Sequence, residues 1–358
     1  MSHTHAEGHV EERAPLRIKW YRCPVPREEL SKLNKRNDLL AWGQTLGFLA
    51  VLATNFALAL YSAFHWPWWA TVLLTFWHGM WWPFLINAHH ELVHDSVFKT
   101  KSLNRFWLLV FTFMGWQNHH WFWQSHTEHH KYTLHEPDDL EVTLPVKITL
   151  MGFLMSGFFD PRWFYHHFKG QIKRAVFGNY NPKNERWTEH LFPPEEVEGR
   201  RKLVSWSRVL LVGHGLTIAG FSVLAWYTWT WQWLMVPVLF SFTPSYGKWL
   251  HFLCNESQHS GLVNFTPDYR LCCRTIYLNP FVQFMYWHMN YHTEHHMYAA
   301  VPCYNLPRLH RVIKADMPPC PNGLWATWRG IAEILKRQKT DPTYQFKAAV
   351  PTPGRAEA

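Results

Sequence analysis

The pentapeptide His-Thr-Glu-His-His occurs twice, at residues 126–130 and again at 292–296. If each copy is helical, its histidines at i, i+3 and i+4 share one face, so three imidazoles aim at one point. Such a triple is half of a metal site, and imidazole serves iron, zinc, copper and nickel alike. Two shorter clusters keep step with the triples. His90-Glu91-Leu92-Val93-His94 ends 32 residues before His126, and Asn255-Glu256-Ser257-Gln258-His259 ends 33 before His292. Asn255, Glu256 and His259 follow His90, Glu91 and His94 by 165 residues, and His292 follows His126 by 166. Several matches in one register, far longer than a solenoid period, read as an old duplication.

Ten candidate ligands result: His90, His94, His126, His129, His130, Asn255, His259, His292, His295 and His296. One ion takes four to six, so the set suits two ions. An amide is a weak ligand. Asn255 would bind poorly or through water, leaving one metal less saturated and open to dioxygen. Glu91, Glu128, Glu256 and Glu294 recur beside these histidines, where carboxylates commonly orient imidazole N–H groups. His89, His119, His120, His251 and His288 lie near the clusters, either as further partners of that kind or as ordinary interfacial residues.

Mean hydropathy is −0.25, which taken alone suggests a soluble protein. The average is depressed by 25 His, 23 Trp and charged termini. Aromatic residues in such excess are what membrane interfaces collect. Net charge is +9, but the basic residues cluster in segments, which fits anionic headgroups and excludes a nucleic-acid stripe. Cys23, Cys254, Cys272, Cys273, Cys303 and Cys320 form no C-x-x-C pair and read as reduced thiols, not an iron–sulfur or zinc-ribbon site. No secretory signal is expected in the polar first 38 residues, which include His3, His5 and His9.

Apolar runs long enough to cross a bilayer are expected at Leu39–Phe64, Trp68–Ala88, Val209–Trp226 and Trp229–Tyr246, with Pro83, Pro237 and Pro244 as kinks. The fold class is therefore all-α and membrane-embedded, four spans in two hairpins under a helical cap. Residues 103–116 and 147–168 read as interfacial. Glu136, Asp138, Asp139 and Glu141 mark a return to water, and 169–202, with Pro182, Pro193 and Pro194, a linker. This divides the chain into a polar tail (1–38), a membrane domain (39–346) with pseudo-repeats at about 39–130 and 204–296, and a C-terminal tail (347–358). The loops near His65 and Thr228 carry no Lys or Arg, so both termini, the linker and every histidine cluster are expected in the cytoplasm.

The boxes His90-x-x-x-His94, His126-x-x-His129-His130, Asn255-x-x-x-His259 and His292-x-x-His295-His296, interleaved with two hydrophobic hairpins, resemble the membrane-bound fatty acid desaturase and hydroxylase superfamily from about residue 39 to 315. The resemblance implies two histidine-held irons, dioxygen as co-substrate, a lipid acyl chain as substrate and an external electron donor. Loss of a second hydrogen would give a double bond, and oxygen rebound an alcohol. The three-residue gap in the first box, against four in acyl-CoA desaturases, places the chain nearer acyl-lipid desaturases or carotenoid-type hydroxylases. His292 stands where front-end desaturases have Gln. With no His-Pro-Gly-Gly haem motif, the donor would be a separate ferredoxin or cytochrome b5. The stretch Glu294–Pro302 and Leu306–His310 resembles bacterial-type desaturases, departing at Ala299 where those have Pro, and points to a bacterial inner membrane.

Three other readings compete. His90-Glu91-x-x-His94 also fits the zinc protease motif, but that leaves both triples idle. Glu91-x-x-His94 and Glu256-x-x-His259 fit soluble di-iron carboxylate bundles, which need two further glutamates. A metal transporter or sensor would want ligands in mid-span, where the runs offer scattered groups such as His78, Asn87 and His214.

Overall fold

Uncharged apolar runs in this chain become helices, and side-chain caps or prolines set their ends. The structure is a computed structural model that describes residues 16–146, 148–178 and 185–351. His3, His5, His9, Pro182 and the tail from residue 352 lie outside the described residues. Short α1 (Arg27–Leu33) is followed by Asn37, whose Oδ1 accepts from the N–H groups of Leu39 and Leu40 and starts α2 (Asp38–His65). Then come α3 (Trp68–Trp81), a 3₁₀ turn at Trp82–Phe84, α4 (Leu85–Val93), α5 (Lys101–Met114) and α6 (His119–Tyr132). Helices α7 (Leu150–Gly157), α8 (Pro161–Phe177) and α9 (Glu185–Leu191) lead into the second half.

That half opens with α10 (Val197–Thr228), then α11 (Met235–Phe240) and α12 (Trp249–Asn255). Shorter α13 (Tyr269–Cys272), α14 (Pro280–Met285), α15 (His292–Met297) and α16 (Leu306–Ile313) precede α17 (Gly323–Gln338). Among the described residues the only β-pairing is four isolated bridges. One of them joins Tyr21 to Asp268, so the extended residues before α1 pack on the body.

Two helices, α2 and α10, are long and apolar enough to cross a membrane. On α2 the buried stripe Ala41, Phe48, Leu52, Asn55, Ala59 and Ser62 follows helical spacing. Its other face exposes Leu39, Leu46 and Leu58, and α10 exposes Val212, Leu216 and Val223. Only 28% and 17% of their most apolar windows are buried, the reverse of a soluble core helix. Apolar surface on this scale calls for something other than water against it.

Of the four expected spans, two are single helices of sufficient length among the described residues, and the two return legs, where prolines were expected to kink them, are broken into shorter pieces. Proline explains the breaks, because it removes a backbone donor and clashes with the preceding turn. Pro83 sits in the 3₁₀ turn after the 14-residue α3, and Pro244 in another, Thr243–Ser245, after the six-residue α11. A departure concerns the linker: α8 and α9 occupy much of it, and α10 begins at Val197, twelve residues before the expected span at Val209.

The two return legs meet at glycine. Gly247 has φ +70°, and a Cβ there would lie 2.7 Å from the carbonyl carbon of Gly79; a Cβ on Gly79 would meet the Tyr246 ring at 2.7 Å. Beside them, His78 Nε2 lies 2.9 Å from the carbonyl of Leu239. Gly247→Ala combines a left-handed backbone penalty with a backbone clash, so we expect a loss of about 3 kcal/mol, read as a lowered Tm of the detergent-solubilised protein. An unchanged Tm would show that the legs need not approach so closely.

Candidate metal centre

The four boxes ride on α4, α6, the end of α12 with the turn beyond it, and α15, and the fold draws them to one place. Their nine histidines separate into two groups. His90, His94, His126, His130 and His295 form one, and His129, His259, His292 and His296 the other. Within each group the ligand nitrogens all lie within 4.8 Å of one another. An imidazole nitrogen sits about 2.1 Å from a bound first-row ion, so ligands of one ion lie within roughly 4.2 Å of each other. The observed spread is slightly wider than that. The groups adjoin through the stacked rings of His130 and His296, centroids 4.4 Å apart.

Membership of the groups crosses the middle of the chain. Four histidines of the first group belong to the first half and the fifth, His295, to the second; three of the other group belong to the second half and the fourth, His129, to the first. The middle histidine of each triple thus serves the opposite half. Asn255, the counterpart of His90, lines a cavity together with His259 and His292 of the four-histidine group and His90, His126 and His129.

Five of these rings are held by hydrogen bonds at their outer nitrogens, and a sixth lies near a carboxylate. His126 Nδ1 donates to Glu141 Oε1 (2.9 Å), His129 Nδ1 to Asp139 Oδ2 (2.8 Å) and His259 Nδ1 to the Cys272 carbonyl (2.8 Å). His90 Nδ1 donates to Glu91 Oε1 (3.1 Å), His295 Nδ1 lies 3.4 Å from the same oxygen, and His296 Nδ1 donates to Thr133 Oγ1 (3.2 Å). With the proton on Nδ1, the Nε2 of each of those five rings is a bare lone pair. Yet Nε2 atoms face each other at 2.9 Å (His126 and His130), 2.8 Å (His259 and His292) and 3.1 Å (His292 and His296). Converging lone pairs in a buried place ask for a cation, and the donor set fits one in each group.

Charge states agree with that fit. Burial pushes His90, His126, His130, His292, His295 and His296 well below the ordinary imidazole pKa, and His259 down to about 3, so these rings are neutral and free to ligate. At His129 burial acts the same way but is outweighed by the charge and hydrogen bond of Asp139, which raise it.

Of the four glutamates expected to orient ligands, Glu91 touches two of the rings. Glu128 instead pairs with Lys131 (2.7 Å) at the surface, and Glu294 bonds Thr275 and His310. The Glu256 carboxylate has no hydrogen bond to a ligand ring among the described residues. The carboxylates that do the work are Asp139 and Glu141, expected to mark a return to water; Asp139 is fully buried. Their signal was position alone, ten and fifteen residues past the histidines they hold. Among the flanking histidines, His89 is buried edge-on to Phe122 and His119 lies edge-on to Trp206. Because the first pair and both triples share one centre, the zinc protease reading, which idles the triples, finds no support here.

The family model described as fatty acid desaturase matches residues 66–328 of the 358. The chain belongs to the fatty acid desaturase family. No curated protein matches it. The matched stretch contains every box of this desaturase-family chain and every α-helix from α3 to α16. Histidine clusters of this kind in a family member fit an oxidoreductase with a di-iron centre.

Proposed function

We propose that this protein is a membrane-bound, dioxygen-dependent di-iron enzyme that introduces a double bond into a fatty acyl chain of a lipid. One observation carries the reading: nine imidazoles, seven buried and His94 and His130 half-buried, divide five and four around two adjacent points beside a cavity. That cavity, of about 380 Å³, is walled by Ile86, Phe122, Val142, Val146 and Met289 and reaches His90, His126, His129, His259 and His292. A second lobe of about 210 Å³ shares Ile86, Asn255 and Glu256 with it and runs under the helix break at Pro83. Together they form a passage that an acyl chain fits.

Two irons held there would supply oxygen activation. The protein's own part is to hold neutral Nε2 lone pairs inward through Asp139, Glu141, Glu91, Thr133 and the Cys272 carbonyl, and to keep bulk water from the reacting carbon. Asn255, weaker than the histidine it replaces in the repeat, leaves the four-histidine point with a position for water or substrate oxygen.

In the membrane, α2 and α10 cross, and the broken legs from Trp68 and from Trp231 cross back, making four spans. Their tips carry exposed Trp66, Trp68 and Trp69, and Trp226, Tyr227, Trp229 and Trp231, as an interfacial aromatic belt does. The histidines then lie at the opposite, cytoplasmic face with both termini. Electrons come from a separate ferredoxin or cytochrome b5.

The test is lipid analysis of cells expressing the protein, beside an iron assay of the purified enzyme. The expected result is a new double bond in an acyl chain and about two irons per chain. An alcohol would move the protein to the hydroxylase branch, and one zinc per chain with no lipid product would end the reading.

A further inference from the structure

Beyond the passage for substrate, a second and larger opening reaches the metal centre from another side. It encloses about 840 Å³, and its floor is His94 and His130 of the five-histidine group with His296 of the other. Arg17, Arg22 and Lys131 line it. The segment 16–36 that forms one wall carries seven Lys and Arg against Glu28 and Glu29. Among the described residues no carboxylate pairs with Arg17, Lys19 or Arg22, and all three are exposed; Lys131 is held by Glu128.

Within this cleft the aromatic rings are in sequence from outside to inside. Partly exposed Trp20 donates through Nε1 to the Lys131 carbonyl (2.8 Å), which fixes its ring. That ring stacks on Tyr269, centroids 4.1 Å apart and planes within 8°. Tyr269 is buried, its hydroxyl donates to the His130 carbonyl (3.0 Å), and its ring lies 5.4 Å from the ring of His296. Two side chains thus connect the surface to a ligand of the metal centre.

Electron balance makes such an entry necessary, whichever branch of the chemistry applies. Reducing dioxygen to two waters takes four electrons and four protons. Forming a double bond from two C–H bonds supplies two of each, so two electrons come from a carrier and two protons from solvent. Hydroxylation, which puts one oxygen atom into a C–H bond and releases the other as water, needs the same two.

We propose that the cleft lined by Arg17, Arg22 and Lys131 is the docking surface for an acidic one-electron carrier protein, and that Trp20 and Tyr269 carry its electrons to His296. This rests on the oxidoreductase reading above. Charge complementarity selects the occupant: a cationic rim steers an acidic partner and makes its association salt-dependent. A lipid headgroup is disfavoured because the floor is the ligand rings themselves, which would place the headgroup, and not a mid-chain carbon, against the metals.

The test uses the full-length enzyme in nanodiscs and, as probe, a plant-type ferredoxin with an acidic face. Binding of oxidised ferredoxin is measured as Kd against salt, a readout independent of turnover. Arg17→Glu with Arg22→Glu should raise Kd at least tenfold at low salt and flatten its salt dependence, while Arg329→Glu, the same kind of charge change on exposed α17, should not. Trp20→Leu should leave Kd within twofold but slow oxidation of reduced ferredoxin tenfold or more, with Trp20→Phe restoring most of the rate. An unchanged Kd and salt slope in the double variant overturns the docking site; unchanged electron transfer in Trp20→Leu overturns the route. Loss of binding to phosphatidylglycerol vesicles in the double variant, with ferredoxin binding intact, would assign the cleft to lipid instead. Peroxide-driven product formation separates the two levels: if the unaltered enzyme makes no lipid product that way, the oxidoreductase reading fails whatever the Kd values show.

Discussion

Replacing His129 by Ala is expected to halve the metal content of the protein and abolish its turnover. His129 is one of only four histidines in its group, so the substitution leaves three, while the five-histidine group keeps its full set. Each ligand of a four-coordinate site is worth about 3 kcal/mol, a factor of ~100 in affinity. His295→Ala takes the richer group from five to four, so turnover should fall to the same floor with a smaller loss of metal. Metal analysis of the two purified variants, beside product formation, checks this asymmetry. Equal metal loss in both would refute the five-and-four division, and full turnover in either would refute its ligand role.

The second large effect is expected at Asp139, a residue no box contains. Its Oδ2 accepts from both His129 Nδ1 and the N–H of Leu134, at 2.8 Å each, and its Oδ1 accepts from the N–H of Glu141 (2.9 Å). Asp139 therefore holds a ligand ring and shapes the turn that delivers Glu141 to His126. Removing a carboxylate behind a ligating histidine typically costs 10–100-fold in affinity or activity. Asp139→Ala should reach the upper end of that range, because it loses the ring, the Leu134 contact and the register of Glu141 together. Asp139→Asn keeps an acceptor oxygen and removes the charge, so it should fall near the lower end. Measuring metal affinity in both variants decides whether charge or geometry dominates; wild-type affinity in Asp139→Ala would show that the ring needs no such support.

The histidines were legible because a helix converts i, i+3, i+4 spacing into one face, and a matched register told where the second set would be. The supporting carboxylates were not, for the same geometric reason. Glu128 and Glu294 hold the same place in the two triples, but a residue flanked by ligands on a helix points away from them. One finds Lys131 and the other His310. Asp139 and Glu141 sit among charged residues near Glu136 and Asp138, a composition that reads as solvated surface. Only the tertiary fold shows that the turn after α6 folds back under its own ligands. The spans divided likewise: the unbroken runs in α2 and α10 were plain from composition, whereas prolines at 83, 237 and 244 mark kinks without saying how short each remaining piece becomes.

The exchange of His129 and His295 between the two groups has a consequence for how the molecule matures. A fragment ending in the linker would own four imidazoles of one set and a stray member of the other, and its complement would own three and a stray. The first fragment has the bare minimum of four for one ion and the second, with three, falls short for the other, so full loading of both groups has to follow the docking of the two halves. A full complement of iron is then a report on finished assembly, and a chain whose second half is late or misplaced should emerge from the ribosome without a filled four-histidine group.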